Sequence, residues 1–372
     1  MTRLLIATGI YPPDHGGPAR FVPALAHAAC QRGWQTRVLT LADVDAIEVR
    51  DDPTGFRVLS IPRSWRRRKR VTAVARHIQV GLKDSDVMFA NGLYEEAALG
   101  AAWARRPWVA KIVGDPIWER ARNQGKTTQD IETFQSSRQD VPLRTQRWAL
   151  SWALSRAWAT ITPSIQLAGF VEGWGLERSR VIPNGIPVRP QRSGEPTVDV
   201  VTVCRLVPWK GLDVLIRACA QARLSLLIVG DGPMRAELAT LVASLGSEDL
   251  VTFTGAVGAN EVAGILDQAR VFALNSSYEG MSFALLEARE RGLPSVVGDN
   301  SGNRAVVHDG LDGFVVESTS VDAVRDALGC LTSNPVMAEE MGSKARQDTV
   351  TRYSIDGVTK ATLDVLEDAA HG

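Results

Sequence analysis

Two glutamates on either side of a glycine turn are the residues best suited to bind sugar hydroxyls. They lie in residues 275–288, where the sequence predicts a strand, a loop through Gly280 and a helix that begins just after it. Glu287, about a turn and a half into that helix, can accept hydrogen bonds from a vicinal diol such as a ribose, and Glu279 can hold the hydroxyls of a second sugar. The first backbone N–H groups of the helix lack intrahelical partners and can bind phosphate or hydroxyl groups. These amides belong to Met281, Ser282 and Phe283. The alternative is a capping role for Glu279 and an exposed helical position for Glu287.

Two cations follow another predicted strand. Arg205 and Lys210 stand between the strand ending at Val203 and a helix that begins near Leu212. Fixed cations at a strand end suit a diphosphate, because they neutralise the charge that grows on a departing phosphate oxygen. The alternative is a pair of solvated surface charges.

The first loop, residues 9–18, carries adjacent glycines just before a helix. Gly16 and Gly17 would let the backbone approach a phosphate, or they serve only a tight turn. The loop lacks the dinucleotide spacing, so hydride chemistry on NAD is not expected. His15, in the same loop, is the one histidine worth testing.

The elements that position these residues alternate between strand and helix. Strands that are apolar on both faces indicate parallel sheets covered by helices. The predicted strands are near residues 4–8, 36–40, 57–61, 87–90, 108–113, 159–162 and 180–182, and then 198–203, 225–229, 250–254, 271–274 and 295–297. The sequence thus predicts two doubly wound, Rossmann-like α/β domains that face each other, with ligands bound at the carboxyl ends of their strands around a central cleft.

A segment rich in proline and glycine divides the chain. The prediction is an acceptor-side domain over 1–184, a linker over 185–197, a donor-binding domain over 198–352 and a terminal helix over 353–372 that braces both domains.

Several motifs, in this order and spacing, resemble the retaining glycosyltransferases of family 4, whose GT-B fold consists of two such domains. The motifs are Tyr11-Pro12-Pro13 with Gly16-Gly17, Pro183-Asn184-Gly185-Ile186, Arg205 with Lys210-Gly211, residues 229–233, Glu279 with Glu287, Met341-Gly342 and Ala345-Arg346. The resemblance covers nearly the whole chain.

The resemblance implies a role for each candidate. Gly16 and Gly17 approach the donor diphosphate, which the two cations bind. Glu279 and the amides that follow Gly280 hold the donor sugar, Glu287 takes the nucleotide ribose, and the base lies near Val257.

Two positions depart from the family pattern. Where many members have a histidine close to the donor sugar, this chain has Asp115, whose carboxylate could contact the sugar or stabilise positive charge at the anomeric carbon. An aspartate before a proline is also a common turn former. Pro187 stands where relatives often have an acidic residue.

The expected activity is transfer of a hexose from a UDP- or GDP-sugar to a hydroxyl of a glycan or lipid-linked acceptor, with retention at the anomeric carbon, as in polysaccharide biosynthesis. No cofactor or metal is expected, because Arg205, Lys210 and helix amides supply the positive field. Glu279, Arg205, Lys210 and Asp115 are the predicted catalytic residues. The alternative is an inactive nucleotide-binding partner or a nucleotide-sugar epimerase on the same fold.

Composition fits a folded protein in the cytosol. The chain has 372 residues, 45% of them hydrophobic and 23% charged, which excludes a lone small module. Four dispersed cysteines favour reduced thiols. Neither a signal peptide nor a membrane-spanning run is predicted.

The charge is divided between the two halves. Residues 1–184 hold 26 Lys and Arg against 17 Asp and Glu, whereas the rest hold 16 against 25. The first half therefore faces an anionic partner, or the two domains attract each other. The densest basic run consists of Arg63, Trp65, Arg66, Arg67, Arg68, Lys69 and Arg70. An anionic membrane surface, at the inner face of the membrane, is favoured over nucleic acid, and a solvated loop is the alternative.

Two tryptophans four residues apart share a helix face. Trp148 and Trp152 are predicted to pack against the sheet, with an interfacial helix as the alternative.

Overall fold

The computed structural model describes residues 1–14, 16–192 and 194–372, without the side chains of residues 259 and 260. His15, which the sequence singled out for testing, and Ser193, which belongs to the predicted linker, therefore lie outside the described residues. The chain forms two compact units: unit 1 comprises residues 1–185 and 355–372, and unit 2 comprises residues 186–354.

Unit 1 is built on an eight-stranded sheet. Its strands are β1 Arg3–Thr8, β2 Gln35–Ala42, β3 Glu48–Asp51, β4 Arg57–Pro62, β5 Val87–Asn91, β6 Trp108–Lys111, β7 Ala159–Thr162 and β8 Ser179–Val181. They are arranged in the order β3-β4-β2-β1-β5-β6-β7-β8. Its helices are α1 Gly17–Gln31, α2 Arg67–Lys83, α3 Tyr94–Ala104, α4 Pro116–Asn123, α5 Ile131–Ser136, α6 Val141–Leu154 and α7 Ile165–Gly173, joined by the terminal helix α15 Ile355–His371.

The sheet of unit 1 is parallel except at one edge. The strands predicted from runs of apolar residues are present, and β5, β6 and β7 are buried along their whole length. β3 pairs antiparallel with β4 at the edge and is exposed throughout. No strand was predicted there, because an exposed edge strand needs no apolar residues.

The terminal helix α15 packs against α1 within unit 1. Arg32 donates to Asp364 at 2.7 Å and to Glu367 at 2.6 Å, while Val358 and Leu366 are buried. Residues 355–372 thus complete unit 1. The expectation that this helix also braces unit 2 stays a prediction.

Unit 2 contains a six-stranded sheet in which all strands are parallel. Its strands are β9 Val198–Val203, β10 Leu226–Val229, β11 Val251–Gly255, β12 Ala269–Leu274, β13 Ser295–Gly298 and β14 Gly313–Val316, in the order β11-β10-β9-β12-β13-β14. Its helices are α8 Leu212–Ala222, α9 Arg235–Ser244, α10 Ala259–Leu266, α11 Phe283–Glu290, α12 Ser301–Arg304, α13 Val321–Ser333 and α14 Pro335–Arg352. β14 was not predicted. One apolar cluster covers each face of this sheet.

The strand order of each sheet reverses at its first strand. In unit 1 the reversal lies between β1 and β5, and in unit 2 it lies between β9 and β12. Adjacent loops diverge at such a point and leave a crevice beyond the carboxyl ends of the strands. The sequence candidates Gly16, Gly17, Arg205, Lys210 and Glu279 all follow these central strands.

Candidate active site

In unit 2, the loops after β9 and β12 are bonded to each other. The amide of Ser277 donates to the carbonyl of Trp209 at 2.9 Å, and Asn275 Nδ2 donates to the carbonyl of Gly211 at 3.0 Å. Asn275 Nδ2 also donates to the carbonyl of Ser318 at 2.8 Å. The loop that carries Lys210 is therefore held against the loop that carries Glu279.

Gly211 permits this close approach. Its φ of 56° lies in the left-handed region, and an added Cβ would stand 2.5 Å from the carbonyl oxygen of Asn275. A side chain would have to push the two loops apart.

Lys210 and Glu279 form an ion pair at the reversal of the sheet. Lys210 Nζ donates to Glu279 Oε1, and Ser276 Oγ donates to the same oxygen at 2.7 Å. The side chains are 13% and 11% exposed, so the pair is largely shielded from water and its field is little screened. An ammonium held there can bind a phosphate, and a carboxylate beside it can accept hydrogen bonds from sugar hydroxyls.

Arg205 follows β9 but is not part of this pair. Its side chain is exposed. Across residues 1–14, 16–192 and 194–372, no side-chain hydrogen bond or ion pair of Arg205 is found. Its guanidinium is therefore open to an anionic ligand, and the same geometry fits the alternative of a solvated surface charge.

Helix α11 begins slightly later than predicted. Ser282 is its N-cap, and Ser282 Oγ accepts from the amide of Leu285 at 3.3 Å. The amides of Ser282 and Phe283 stay among the helix-start donors without intrahelical acceptors. Met281 instead lies before the helix, and its side chain packs into an apolar cluster. Met281 thus lies one residue before the N-cap, and a role for its amide in donor binding stays a prediction.

Glu287 is buried within α11. It is 5% exposed, so the alternative of a solvent-facing helical glutamate is wrong. Its neighbours Leu285, Leu286, Ala288, Arg289 and Glu290 are also buried. Burial makes a charged carboxylate costly and suits a group held for a specific partner. Its assignment to the ribose stays a prediction.

Ion pairs and hydrogen bonds of two buried charged residues connect α11 to the rest of unit 2. Glu290 accepts from Arg346 Nη1 at 2.9 Å and from the amide of Arg189 at 2.8 Å. Arg289 binds Asp312 through both terminal nitrogens, at 2.9 and 3.0 Å. The sequence singled out Arg346 only by resemblance, and these contacts give it a positioning role.

Residues after β13 contact the backbone of the loop that carries Glu279. The sequence analysis did not identify them. Asn300 Nδ2 donates to the carbonyl of Ser276 at 2.9 Å. An added Cβ on Gly302 would lie 1.9 Å from the carbonyl oxygen of Glu279. The sequence did contain a signal, because only two residues separate Asn300-Ser301-Gly302 from the end of a predicted strand.

The segment predicted to lie near the base follows β11. Val257 is half-buried against an apolar cluster. The carbonyl of Gly255 accepts from the amide of Gly230 at 2.9 Å, which joins this segment to the loop after β10. The assignment of Val257 to the base stays a prediction.

In unit 1, the glycine loop caps α1 at the reversal of the sheet. Gly16 is the N-cap with φ 137°, and Gly17 is the first helical residue. Beside this loop, a cavity of about 200 Å³ includes Gly9, Asn91, Tyr94 and Pro116 among its lining residues. The first helix thus points its N-terminus toward the carboxyl edge of the sheet, as a phosphate-binding loop requires. Contact of Gly16 and Gly17 with the diphosphate stays a prediction.

Asp115 caps helix α4 and is fully buried. Its Oδ1 accepts from the amides of Ile117 and Trp118, at 2.9 and 3.3 Å. Its Oδ2 accepts from Gln135 Nε2 at 2.6 Å and from Arg147 Nη2. Both oxygens are engaged, so these surroundings support the turn-forming alternative and not direct contact with the sugar. We therefore treat Asp115 as a positioning residue.

The basic run has two parts with different surroundings. Arg63 pairs with Asp14 and, at 3.2 Å, with Asp43, so it belongs to the scaffold of the first loop and not to a free basic surface. Lys69 Nζ lies 3.7 Å from the centroid of the Trp65 ring. Arg66, Arg67 and Arg68 are exposed at the start of α2.

The prediction for Trp148 is wrong. It is 67% exposed. Trp152 is half-buried, with the Arg156 guanidinium 3.8 Å from its ring centroid. Four-residue spacing places both rings on one helix face but does not say that the sheet covers that face.

One cluster of possible metal ligands occurs among the described residues: His308, Asp312 and Asp348. The Arg289 guanidinium lies 2.9 Å from Asp312 and 3.5 Å from Asp348, so the cluster is an ion-pair network around a cation. Within the described part of the chain, no helix combines the length and apolar character needed to cross a bilayer.

Family models divide the chain as the two units do. Residues 189–348 match the model for glycosyl transferases group 1. Residues 16–185 match the model for the glycosyl transferase 4-like domain.

Relatives and solved structures agree with these matches. The chain is 27% identical to a GDP-mannose-dependent alpha-(1-6)-phosphatidylinositol monomannoside mannosyltransferase of Mycolicibacterium smegmatis, over 92% of each chain. It is similar in fold to sucrose-phosphate synthase from Thermosynechococcus elongatus, with a TM-score of 0.81 and 19% identity over 99% of both chains. HepE from Anabaena, in complex with UDP and glucose, matches with a TM-score of 0.75 and 19% identity, over 99% of this chain and 100% of the other.

Two Rossmann-like units, the family models that cover them and the similar structures confirm the predicted GT-B fold. On these grounds the chain belongs to the group 1 glycosyltransferases of the family 4 type.

Proposed function

We propose that this enzyme transfers a mannosyl group from GDP-mannose to a hydroxyl of a lipid-linked or glycan acceptor, with retention and without a metal ion. The observation that carries the proposal is the shielded Lys210–Glu279 pair at the reversal of the unit 2 sheet. GDP-mannose is the first donor to test because the full-length mycobacterial relative is named for it.

The donor would be held by groups that follow β9 and β12. Lys210 and the exposed Arg205 supply positive charge to the diphosphate, and the amides of Ser282 and Phe283 add dipoles of the same sign. Glu279 accepts hydrogen bonds from the sugar hydroxyls. Glu287 accepts from the ribose diol.

Retention follows if the acceptor attacks on the face that the diphosphate leaves. The bond from the anomeric carbon to the phosphate oxygen breaks, the bond to the acceptor oxygen forms, and the acceptor proton passes to the departing phosphate. Positive charge from Lys210 lowers the barrier because negative charge on that phosphate oxygen grows as the bond breaks.

The first experiment is a thermal-shift screen of UDP, GDP, ADP and dTDP and their sugar conjugates, without metal and then with magnesium. A ligand that binds only the folded state stabilises it and so raises Tm. At a hundredfold excess over Kd, the free energy of unfolding increases by about 2.7 kcal/mol. We expect GDP-mannose to stabilise the parent without magnesium and Glu287→Ala much less. Glu340→Ala, an exposed helical glutamate of unit 2, is the matched control. No shift with any nucleotide would contradict the proposal, whereas a shift without transfer to any acceptor would favour an inactive nucleotide-binding partner.

The stereochemistry has a separate test. The product made from GDP-mannose should carry the α configuration of the donor, read from the one-bond carbon–hydrogen coupling at the anomeric carbon. A β product would refute retention and leave donor binding intact.

We also propose that the enzyme works at the inner face of the membrane and docks through the exposed start of α2. Trp65, Arg66, Arg67 and Arg68 offer an aromatic ring and positive charge to anionic headgroups. In a flotation assay, vesicles of phosphatidylcholine with phosphatidylglycerol should carry the protein, and Gln at the three arginines should abolish this. Gln at three other exposed arginines of unit 1, Arg105, Arg106 and Arg178, should not. Equal flotation of both triple variants would exclude this surface.

A further inference from the structure

A large pocket in unit 1 contains none of the predicted site residues. Helices α5, α6 and α7 line an open pocket of about 1120 Å³, slightly larger than the roughly 300–1,000 Å³ of most small-molecule pockets. Its walls include Phe134, Leu143, Trp148, Phe170 and Trp174. The exposed ring of Trp148 is thus part of an apolar wall.

Glycines keep one wall of this pocket open. Gly169 and Gly173 stand one turn apart on α7, and an added Cβ at either would meet no atom within 4 Å. Glycine in a helix is less favourable than alanine because its unfolded chain has more conformational freedom to lose. The pair therefore provides space at the expense of helix stability.

The polar part of the pocket is cationic. Arg138, Arg144 and Arg147 line it, against a single carboxylate at Glu132. Arg147 donates through Nη2 to Asp115, and its guanidinium lies 4.2 Å from the Trp174 ring centroid. Its Nη1 is buried and has no hydrogen-bond partner among the described residues. Burying a donor without an acceptor is unfavourable, and an anionic ligand atom would remove that penalty.

The pocket lies next to the small cavity at the reversal of the sheet. Pro116 lines the 200 Å³ cavity, and the next residue, Ile117, lines the large pocket. The start of α4 therefore borders both cavities.

We propose that this pocket binds the lipid-phosphate part of the acceptor, with the apolar chain between α6 and α7 and the phosphate at Arg144 and Arg147. The proposal rests on the proposed function and specifies its acceptor as an anionic amphiphile. A second copy of the chain fits less well, since a symmetric contact through this face would bring arginines against arginines. Asp115 then acts by orienting Arg147.

Direct binding tests the pocket without any donor. Calorimetric titration with dodecyl phosphate, below its micelle concentration, should give saturable binding to the parent. Gly169→Leu should weaken it by about tenfold or more, because leucine fills the pocket. Its Tm should not fall, since the space is open and leucine favours a helix. The control Gly329→Leu, also helical with no atom near an added Cβ, should bind like the parent. Equal affinity in all three proteins would overturn the proposal.

The charge requirement has its own comparison. Dodecyltrimethylammonium, with the same chain and the opposite charge, should bind far more weakly, and Arg144→Gln should weaken dodecyl phosphate by several-fold. Equal binding of the two amphiphiles would overturn the phosphate assignment. If Gly169→Leu instead converts a dimeric parent into a monomer, this face is a subunit interface and the proposal fails. Gly173→Leu repeats the test should Gly169→Leu fold poorly.

The two proposals can fail separately. GDP-mannose binding should be the same in Gly169→Leu and the parent, because the donor groups of unit 2 are unchanged. Normal donor binding without amphiphile binding would refute only the acceptor pocket. Amphiphile binding without donor binding would refute the proposed function and leave a lipid-phosphate pocket on unit 1.

Discussion

At the residue scale, the Lys210 ammonium is the group whose chemistry the site most depends on. Removing it takes positive charge from the departing phosphate and leaves the Glu279 carboxylate shielded without its cation. We expect Lys210→Met to lower kcat by about 10²–10³. Steady-state kinetics with GDP-mannose checks this, with the exposed helical residue Lys344 changed to Met as the control. Near-parental kcat in Lys210→Met would contradict the electrostatic role.

Substitution of Asp115 can show whether this residue has a positioning role or a catalytic one. Asp115→Ala removes the cap of α4 and leaves the Arg147 charge half-buried, so we expect a loss of about 2–4 kcal/mol in the free energy of unfolding. Urea denaturation measures it. Asp140→Ala, at the exposed cap of α6, should cost about 1 kcal/mol. A stable Asp115→Ala protein with almost no kcat would instead restore the catalytic assignment.

Lys111 makes stability depend on pH. It is fully buried, with its Nζ 4.0 Å from the Phe21 ring centroid, and burial lowers its pKa from 10.5 to about 7. Between these two values the unfolded chain binds a proton that the folded chain does not, so this group's contribution to stability rises with pH. Below about pH 7 both states bind the proton and the full cost of the buried charge is present.

The corresponding variant is Lys111→Met, which removes the buried ammonium. We expect its Tm to exceed that of the parent by several degrees at pH 7 and below, and the difference to shrink as pH rises toward 10.5. Calorimetry across this range checks it, with the exposed Lys83→Met as control. A difference in Tm that does not change with pH would contradict the buried-charge explanation.

At the element scale, the Glu279 loop depends on a short helix that supports it. Gly302, in α12, has no room for a Cβ beside the Glu279 carbonyl. We expect Gly302→Ala to displace that loop and weaken GDP-mannose binding by about tenfold or more, with a loss of about 1–3 kcal/mol in stability. Gly329→Ala, on α13 where the space is open, should gain up to about 1 kcal/mol. Calorimetric titration and urea denaturation measure both effects. Unchanged donor affinity in Gly302→Ala would show that this support is not needed.

Most elements could be predicted because buried segments consist mainly of apolar residues, which the sequence shows directly. The parallel strands are apolar on both faces, and the loops that follow them carry the glycines and charges of the site. β3 could not be found, because all four of its residues are exposed. The full burial of Asp115 could not be found either, since its partners Gln135 and Arg147 come from later helices that the sequence does not bring together. Local motifs predict what begins a helix, but not which distant side chain pairs with its cap.

At the scale of the whole molecule, the chain passes from one unit to the other twice, and this affects how each unit is stabilised. Unit 2 is continuous, whereas unit 1 needs residues from both ends of the sequence. The balance of charge follows the same division, since the basic excess falls in residues 1–184 and the acidic excess in the rest. The terminal helix α15 is acidic where it meets Arg32, which follows the last residue of α1, and this offsets part of the charge of unit 1.

Leu366 offers a way to perturb unit 1 from the far end of the chain. It is fully buried in α15, so Leu366→Asp places a charge in an apolar environment and should cost several kcal/mol in unit 1. In calorimetry we expect one transition to move to lower temperature, while the transition that GDP raises, which belongs to unit 2, stays in place. Lys360→Asp, exposed on the same helix, should leave both transitions nearly unchanged. If the GDP-sensitive transition falls together with the other in Leu366→Asp, the two units unfold as one, and the terminal helix stabilises the whole molecule.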